Sequence, residues 1–135
     1  MPLFDDAMRT ETRPKRQNES TYAYLNSSGR PAFDAIRELL DSWFAHVPED
    51  AKADVRGRFQ SREDVQHQSA FFELFWHELL LRCGYEVDVH PLLDTVATNP
   101  DFLAKRDGAR LFYLEATLAM PPGGRCSNAP ARGSP

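Results

Sequence analysis

The segment "SREDVQHQSAFFELFWHELLLRCGYEV" limits the chain's fold more than any other. Val65, Ala70, Phe71, Phe72, Leu74, Phe75, Trp76, Leu79, Leu80 and Leu81 place apolar residues around most of a helical circumference. A helix apolar on nearly every side has to be central and largely buried. Ser61 is expected to cap it, with Asp64 as a weak capping-box partner, and Gly84 to stop it. Gln66, Ser69, Glu73 and His77 follow one another at steps of three or four and form its single polar stripe.

Shorter elements flank this helix. Residues 1–27 read as a polar, disordered arm, and Arg9, Arg13, Lys15 and Arg16 as a basic run diluted by Asp5, Asp6 and Glu11. Residues 28–60 read as helical. Pro31 suits a first turn, Phe33, Ile36, Leu40, Trp43, Phe44 and Val47 keep amphipathic spacing, and Pro48 ends the run. A second helix follows, with Glu49 and Asp50 at its positive end.

Beyond Gly84, Tyr85, Val87 and Val89 alternate with Glu86, Asp88 and His90, the pattern of a half-exposed strand. Asp107-Gly108 then marks a hairpin between strands near 101–105 and 110–118. From residue 119 the sequence turns rich in proline and glycine and reads as a disordered tail. The expected fold is α/β: N-terminal helices, a long buried helix, then a three-stranded mixed sheet.

Net charge of −4 argues against a surface built mainly to hold a phosphate backbone, although a cation-binding site is itself acidic. Two cysteines cannot make a disulfide framework, and Cys83 reads as a core residue. The first residues contain no apolar signal-like core and no run is long enough for a membrane span, so a cytoplasmic protein is expected. The histidines and cysteines lack zinc-site spacing.

The unusual residue is Glu115, set among Phe112, Tyr113, Leu114, Ala116 and Leu118. Helix, strand, strand and strand follow in order, with Glu73 on the helix, Pro100-Asp101 opening the second strand and Glu115 in the third. Over residues 62–118 this resembles the PD-(D/E)xK nuclease-like superfamily. Glu73 matches the helix glutamate, "NPDF" the PD turn, and "YLEAT" the (D/E)-x-K tripeptide. The resemblance implies an incomplete restriction-endonuclease-like core and metal-dependent phosphodiester hydrolysis. It assigns Mg²⁺ or Mn²⁺ to Asp101, Glu115 and the Ala116 carbonyl, with Glu73 orienting the water. Magnesium takes hard oxygen ligands and activates water beside a phosphoryl group.

The turn decides whether those carboxylates meet. A three-residue Arg106-Asp107-Gly108 loop sets Asp101 opposite Tyr113 and diagonal to Glu115 on one face. A two-residue Asp107-Gly108 turn sets Asp101 opposite Leu114 and sends the carboxylates to opposite faces unless a bulge intervenes.

The sequence departs from the family pattern in two places. Thr117 occupies the lysine position, and a hydroxyl carries no positive charge. Lys105 is the substitute within reach, and His77 a candidate proton carrier. The family's last helix and strand have no counterpart before the tail, which is read as truncation. Hydrolysis by this chain alone is therefore expected to be weak or absent. The alternative is a module that keeps the fold and binds nucleic acid or protein, or a homo-oligomer that covers the third strand.

Overall fold

A computed structural model describes residues 1–91 and 100–119. Four helices come first: α1 (Thr21–Ser27), α2 (Pro31–Ala45), α3 (Glu49–Phe59) and α4 (Asp64–Arg82). Three strands follow: β1 (Glu86–Val89), β2 (Phe102–Arg106) and β3 (Ala109–Leu114). The expected α/β class is the one found. The sheet, in order β1-β2-β3, is antiparallel throughout rather than mixed. A parallel neighbour needs a crossover of a dozen or more residues, whereas β2 reaches β3 through two.

Local chemistry sets most boundaries. Pro31 fills the first position of α2 and Pro48 stands as the N-cap of α3. α3 opens on Glu49 and Asp50 and closes on Arg56 and Arg58, matching its dipole at both ends. Gly84 stops α4 at φ +91°, a conformation costly to any side chain. The other end of α4 departs from expectation. Glu63 is the N-cap, and Asp64 instead accepts a hydrogen bond from Thr21 N at 2.9 Å. Ser61 Oγ accepts from Glu63 N.

The core gathers Leu40, Phe44 and Val47 from α2 and its end, Val55 and Phe59 from α3, and Ala70 and Leu74 from α4. Leu3 and Phe4 complete it. Residues 1–27 are thus not a disordered arm. Leu3 is fully buried, its N–H donates to Asp41 Oδ1 at 2.7 Å, and its carbonyl accepts from Tyr22 Oη and Gln60 Nε2. The basic run is tied down too: Arg9 bonds Asn26 and Asp5, and Arg13 holds Glu19 with two hydrogen bonds. Two apolar side chains and a set of ion pairs offset the entropy of ordering this segment. The expected disordered tail at 119–135 falls, from residue 120 on, outside the described residues.

α4 is less fully buried than its composition suggests, and the side it buries includes polar residues. Its polar residues His67, Glu73, His77 and Glu78 are buried, whereas Val65, Phe72, Phe75 and Leu79 are exposed. Cys83, expected in the core, is exposed as the C-cap of α4. Toward the sheet, His77 meets Phe102 with ring centroids 6.1 Å apart, and Phe102 and Ala104 are buried.

The hairpin takes the two-residue alternative, with a bulge that changes its register. Asp107 and Gly108, at φ +54° and +79°, form a two-residue turn that pairs Arg106 with Ala109. Lys105 then faces Arg110, but Ala104 faces Phe112, so Leu111 is an extra residue bulged out of β3. From there Leu103 faces Tyr113 and Phe102 faces Leu114, and continuing the register brings Asp101 opposite Glu115. β3 ends at Leu114, earlier than expected, which leaves Glu115 and Thr117 outside the strand.

Candidate metal centre

Antiparallel pairing of Val89 with Phe102 brings the residues just outside that pair together. His90 N donates to the Asp101 carbonyl at 2.7 Å, closing the end of the ladder. His90 adopts φ +51°, an uncommon conformation for a residue with a side chain, as the chain leaves β1. Its Nε2 lies 3.3 Å from Glu73 Oε1 and 3.9 Å from Asp101 Oδ1. One ligand atom from each of Glu73, His90 and Asp101 falls within 4.8 Å of the others. The group thus joins the middle of α4, the end of β1 and the start of β2.

Two contacts hold its carboxylates. Asp101 Oδ2 accepts the Ala116 N–H at 2.8 Å, which leaves Oδ1 turned toward His90. Glu73 is gripped through both oxygens by Arg58, Nη1 to Oε2 at 2.6 Å and Nη2 to Oε1 at 2.9 Å. Arg58 also holds Asp54 Oδ2, at 2.8 Å from Nη2. These bonds keep the Arg58 guanidinium firmly protonated, and the bond from Arg58 lowers the Asp54 carboxyl below its usual range. Three carboxyl groups, Asp54, Glu73 and Asp101, thus lie around a single guanidinium.

His77, one turn after Glu73, stands on the same small void as Glu73, Leu74, Val89 and Phe102. Burial lowers its pKa, so it stays neutral near pH 7, and its Nδ1 has no hydrogen-bond partner among the described residues. It is a packed histidine against Phe102. Glu78, next to His77 on α4, is buried, with Oε1 2.8 Å from His46 Nδ1 and Oε2 2.9 Å from Arg82 Nε.

Of the residues singled out in sequence, Glu73 and Asp101 come together. Glu115 and Thr117 are exposed beyond the end of β3, and Glu115 is not part of the three-residue group. Ala116 meets Asp101 through its N–H rather than joining the group through its carbonyl. Lys105 does not replace the missing lysine: its Nζ pairs with Asp88 Oδ2 at 3.0 Å. An alternating strand hands its ammonium to the acid on the neighbouring strand before it can reach the end of the ladder.

His90 and Arg58 are the members that sequence reasoning missed. His90 looks like one more polar residue in the β1 alternation, and only pairing with β2 sets it beside Asp101. Arg58 looks like a dipole-matched end of α3. A basic residue there, ahead of a helix with an acid on its apolar side, is the one signal that was available.

Two carboxylate oxygens and one imidazole nitrogen are a donor set that a divalent cation accepts. Among the described residues no helix is long and apolar enough to cross a membrane. No family model, no curated protein and no solved structure matches the chain. The chain is an α/β protein with a candidate cation site at a helix–strand junction.

Proposed function

We propose that this chain is a divalent-cation-binding relative of the PD-(D/E)xK nucleases, in which Glu73, His90 and Asp101 hold the ion. Hydrolysis of phosphodiesters by this chain alone is weak or absent. The supporting observation is the convergence of Glu73 and Asp101, two of the three acids shared with the family pattern, on His90 within 4.8 Å.

When bound, the ion polarises a phosphoryl oxygen and acidifies a water. The residues around it have narrower tasks. Asp101 presents Oδ1 because Ala116 N–H fixes Oδ2. His90 offers Nε2, which needs the neutral imidazole. Arg58 orients Glu73 and would compete with a bound cation for that carboxylate, which would restrain the strength of binding. Among the described residues no cation stands where the family lysine would: Thr117 fills that position and Lys105 is spent on Asp88. This is why hydrolysis is weak.

Calorimetric titration with Mn²⁺ and Mg²⁺ tests the reading. Wild-type protein binds Mn²⁺ more tightly than Mg²⁺. Asp101→Asn and His90→Ala each weaken Mn²⁺ binding by about ten- to a hundredfold, and Glu115→Ala leaves it unchanged. Absence of Mn²⁺ binding at millimolar concentration, or loss in Glu115→Ala alone, overturns it. The same samples mixed with plasmid and single-stranded DNA report hydrolysis. Salt-sensitive DNA binding that is indifferent to metal and to Asp101→Asn favours the non-catalytic binding module instead.

A further inference from the structure

We propose that β3 pairs edge to edge with β3 of a second copy of this chain, about a two-fold axis at Tyr113. β3 is the last strand in the order β1-β2-β3, and no described strand lies along its outer side. Leu111, Phe112 and Tyr113 are 50%, 38% and 43% exposed, an apolar run on an unpaired edge. Such an edge invites a second strand.

The spacing of charge along β3 selects the partner. Arg110 and Glu115 are exposed and have no ion-pair partner among the described residues. Distance along the strand is counted by the residues that β3 faces on β2. Tyr113 faces Leu103, Phe112 faces Ala104, and Arg110 faces Lys105, because the bulged Leu111 takes no step of its own. Arg110 therefore lies two steps before Tyr113. Leu114 faces Phe102, and Glu115 lies two steps after Tyr113.

An antiparallel pair of β3 strands centred on Tyr113 thus sets Arg110 of each copy against Glu115 of the other. It also sets Phe112 against Leu114 twice and Tyr113 against its own copy. Centres at Arg110 or at Glu115 oppose like charges, which costs stability. A bulge normally blunts a sheet edge. Here it brings the two charges to equal distances from the centre and so fixes a single register.

The other edge of the sheet gives no such match. β1 carries Glu86 and Asp88, and an antiparallel pair of β1 strands brings acid against acid. Pairing β1 with β3 is head to tail and does not close, whereas β3 with β3 closes as a two-fold dimer. This association does not involve Glu73, His90 or Asp101, so it stands apart from the cation site.

Sedimentation velocity on the full chain over a range of concentrations tests the proposal, with circular dichroism confirming that each variant is folded. Wild-type protein shows a reversible monomer–dimer equilibrium. Arg110→Glu and Glu115→Arg each weaken it by roughly three- to thirtyfold, because two pairs per dimer turn repulsive. The double variant Arg110→Glu/Glu115→Arg returns to within about threefold of wild type. A protein that stays monomeric at every concentration overturns the proposal. So does a dimer that ignores both single reversals, or a double variant as weak as the singles. Hydrogen exchange of the wild-type chain needs no variant: slower exchange of the outward-facing β3 amides at high concentration supports the pairing, and exchange independent of concentration overturns it.

Discussion

Arg58 holds Glu73 through both carboxylate oxygens, at 2.6 and 2.9 Å, so this buried acid of α4 already has a cationic partner. The pair comes from two helices that have to cross for it to form. Its members are shielded but not sealed, with side chains 23% and 9% exposed.

Removing one partner leaves the other charge uncompensated. Arg58→Ala is expected to lower unfolding free energy by about 3 kcal/mol, measured by urea denaturation. Arg58→Met with Glu73→Leu recovers most of that loss, because an apolar pair of similar volume needs no desolvation. A loss below about 0.5 kcal/mol in Arg58→Ala, the range of an ordinary surface substitution, would show the pair to be incidental.

The N-terminal segment is expected to behave as part of the core. Leu3→Ala removes a fully buried side chain and should cost about 3 kcal/mol. Gly29→Ala acts on a later part of the same segment, since a Cβ there would lie 2.7 Å from the Arg9 carbonyl oxygen. That variant should lose the Gly29 N–H to Glu11 carbonyl bond and open residues 5–13 to limited proteolysis. Equal protease resistance in wild type and Gly29→Ala contradicts this docking.

Stability should fall as pH drops below about 6.5. Burial lowers the pKa of both His67 and His77 from the ordinary 6.5. The unfolded chain takes up protons there that the folded chain resists, so their effect is absent above that pH and grows below it. His67→Phe keeps an aromatic ring beside Phe59 and Tyr22 and should flatten the slope of unfolding free energy between pH 6.5 and 5. An unchanged slope in that variant removes His67 as a cause.

A second decline belongs to the acid range. Hydrogen bonds from Arg13 bring Glu19 down to about 2 from an ordinary 4.5. A depressed carboxyl stabilises the fold fully above its unfolded value and loses that contribution as pH falls toward the folded one. Glu19→Gln should therefore be less stable than wild type at pH 6, with the gap closing between pH 4.5 and 2. A gap that does not vary with pH over that range argues against the ion pair.

Helices α2 to α4, the three strands and much of their punctuation were legible in the sequence because each rests on neighbours a few residues apart, whereas α1 falls within the segment that reads as a disordered arm. Pro31, Pro48, Gly84 and Asp107-Gly108 act through their own backbone preferences, and all four stand where the structure starts, stops or turns an element. The core pattern of α2 was readable for the same reason: Leu40, Phe44 and Val47 repeat at helical spacing and are buried.

Tertiary structure decided what local pattern leaves open. A helix apolar nearly all round has little hydrophobic asymmetry, so its rotation is chosen by specific partners. Arg58 for Glu73 and His46 with Arg82 for Glu78 turn the polar residues of α4 inward and leave Phe72, Phe75 and Leu79 outside. One bulged residue, Leu111, resets the register of β3 without any mark in the sequence pattern. His90 gains its place beside Glu73 and Asp101 only from strand pairing and an uncommon backbone angle. Periodicity counts residues along one element, whereas the candidate site depends on distances between three of them.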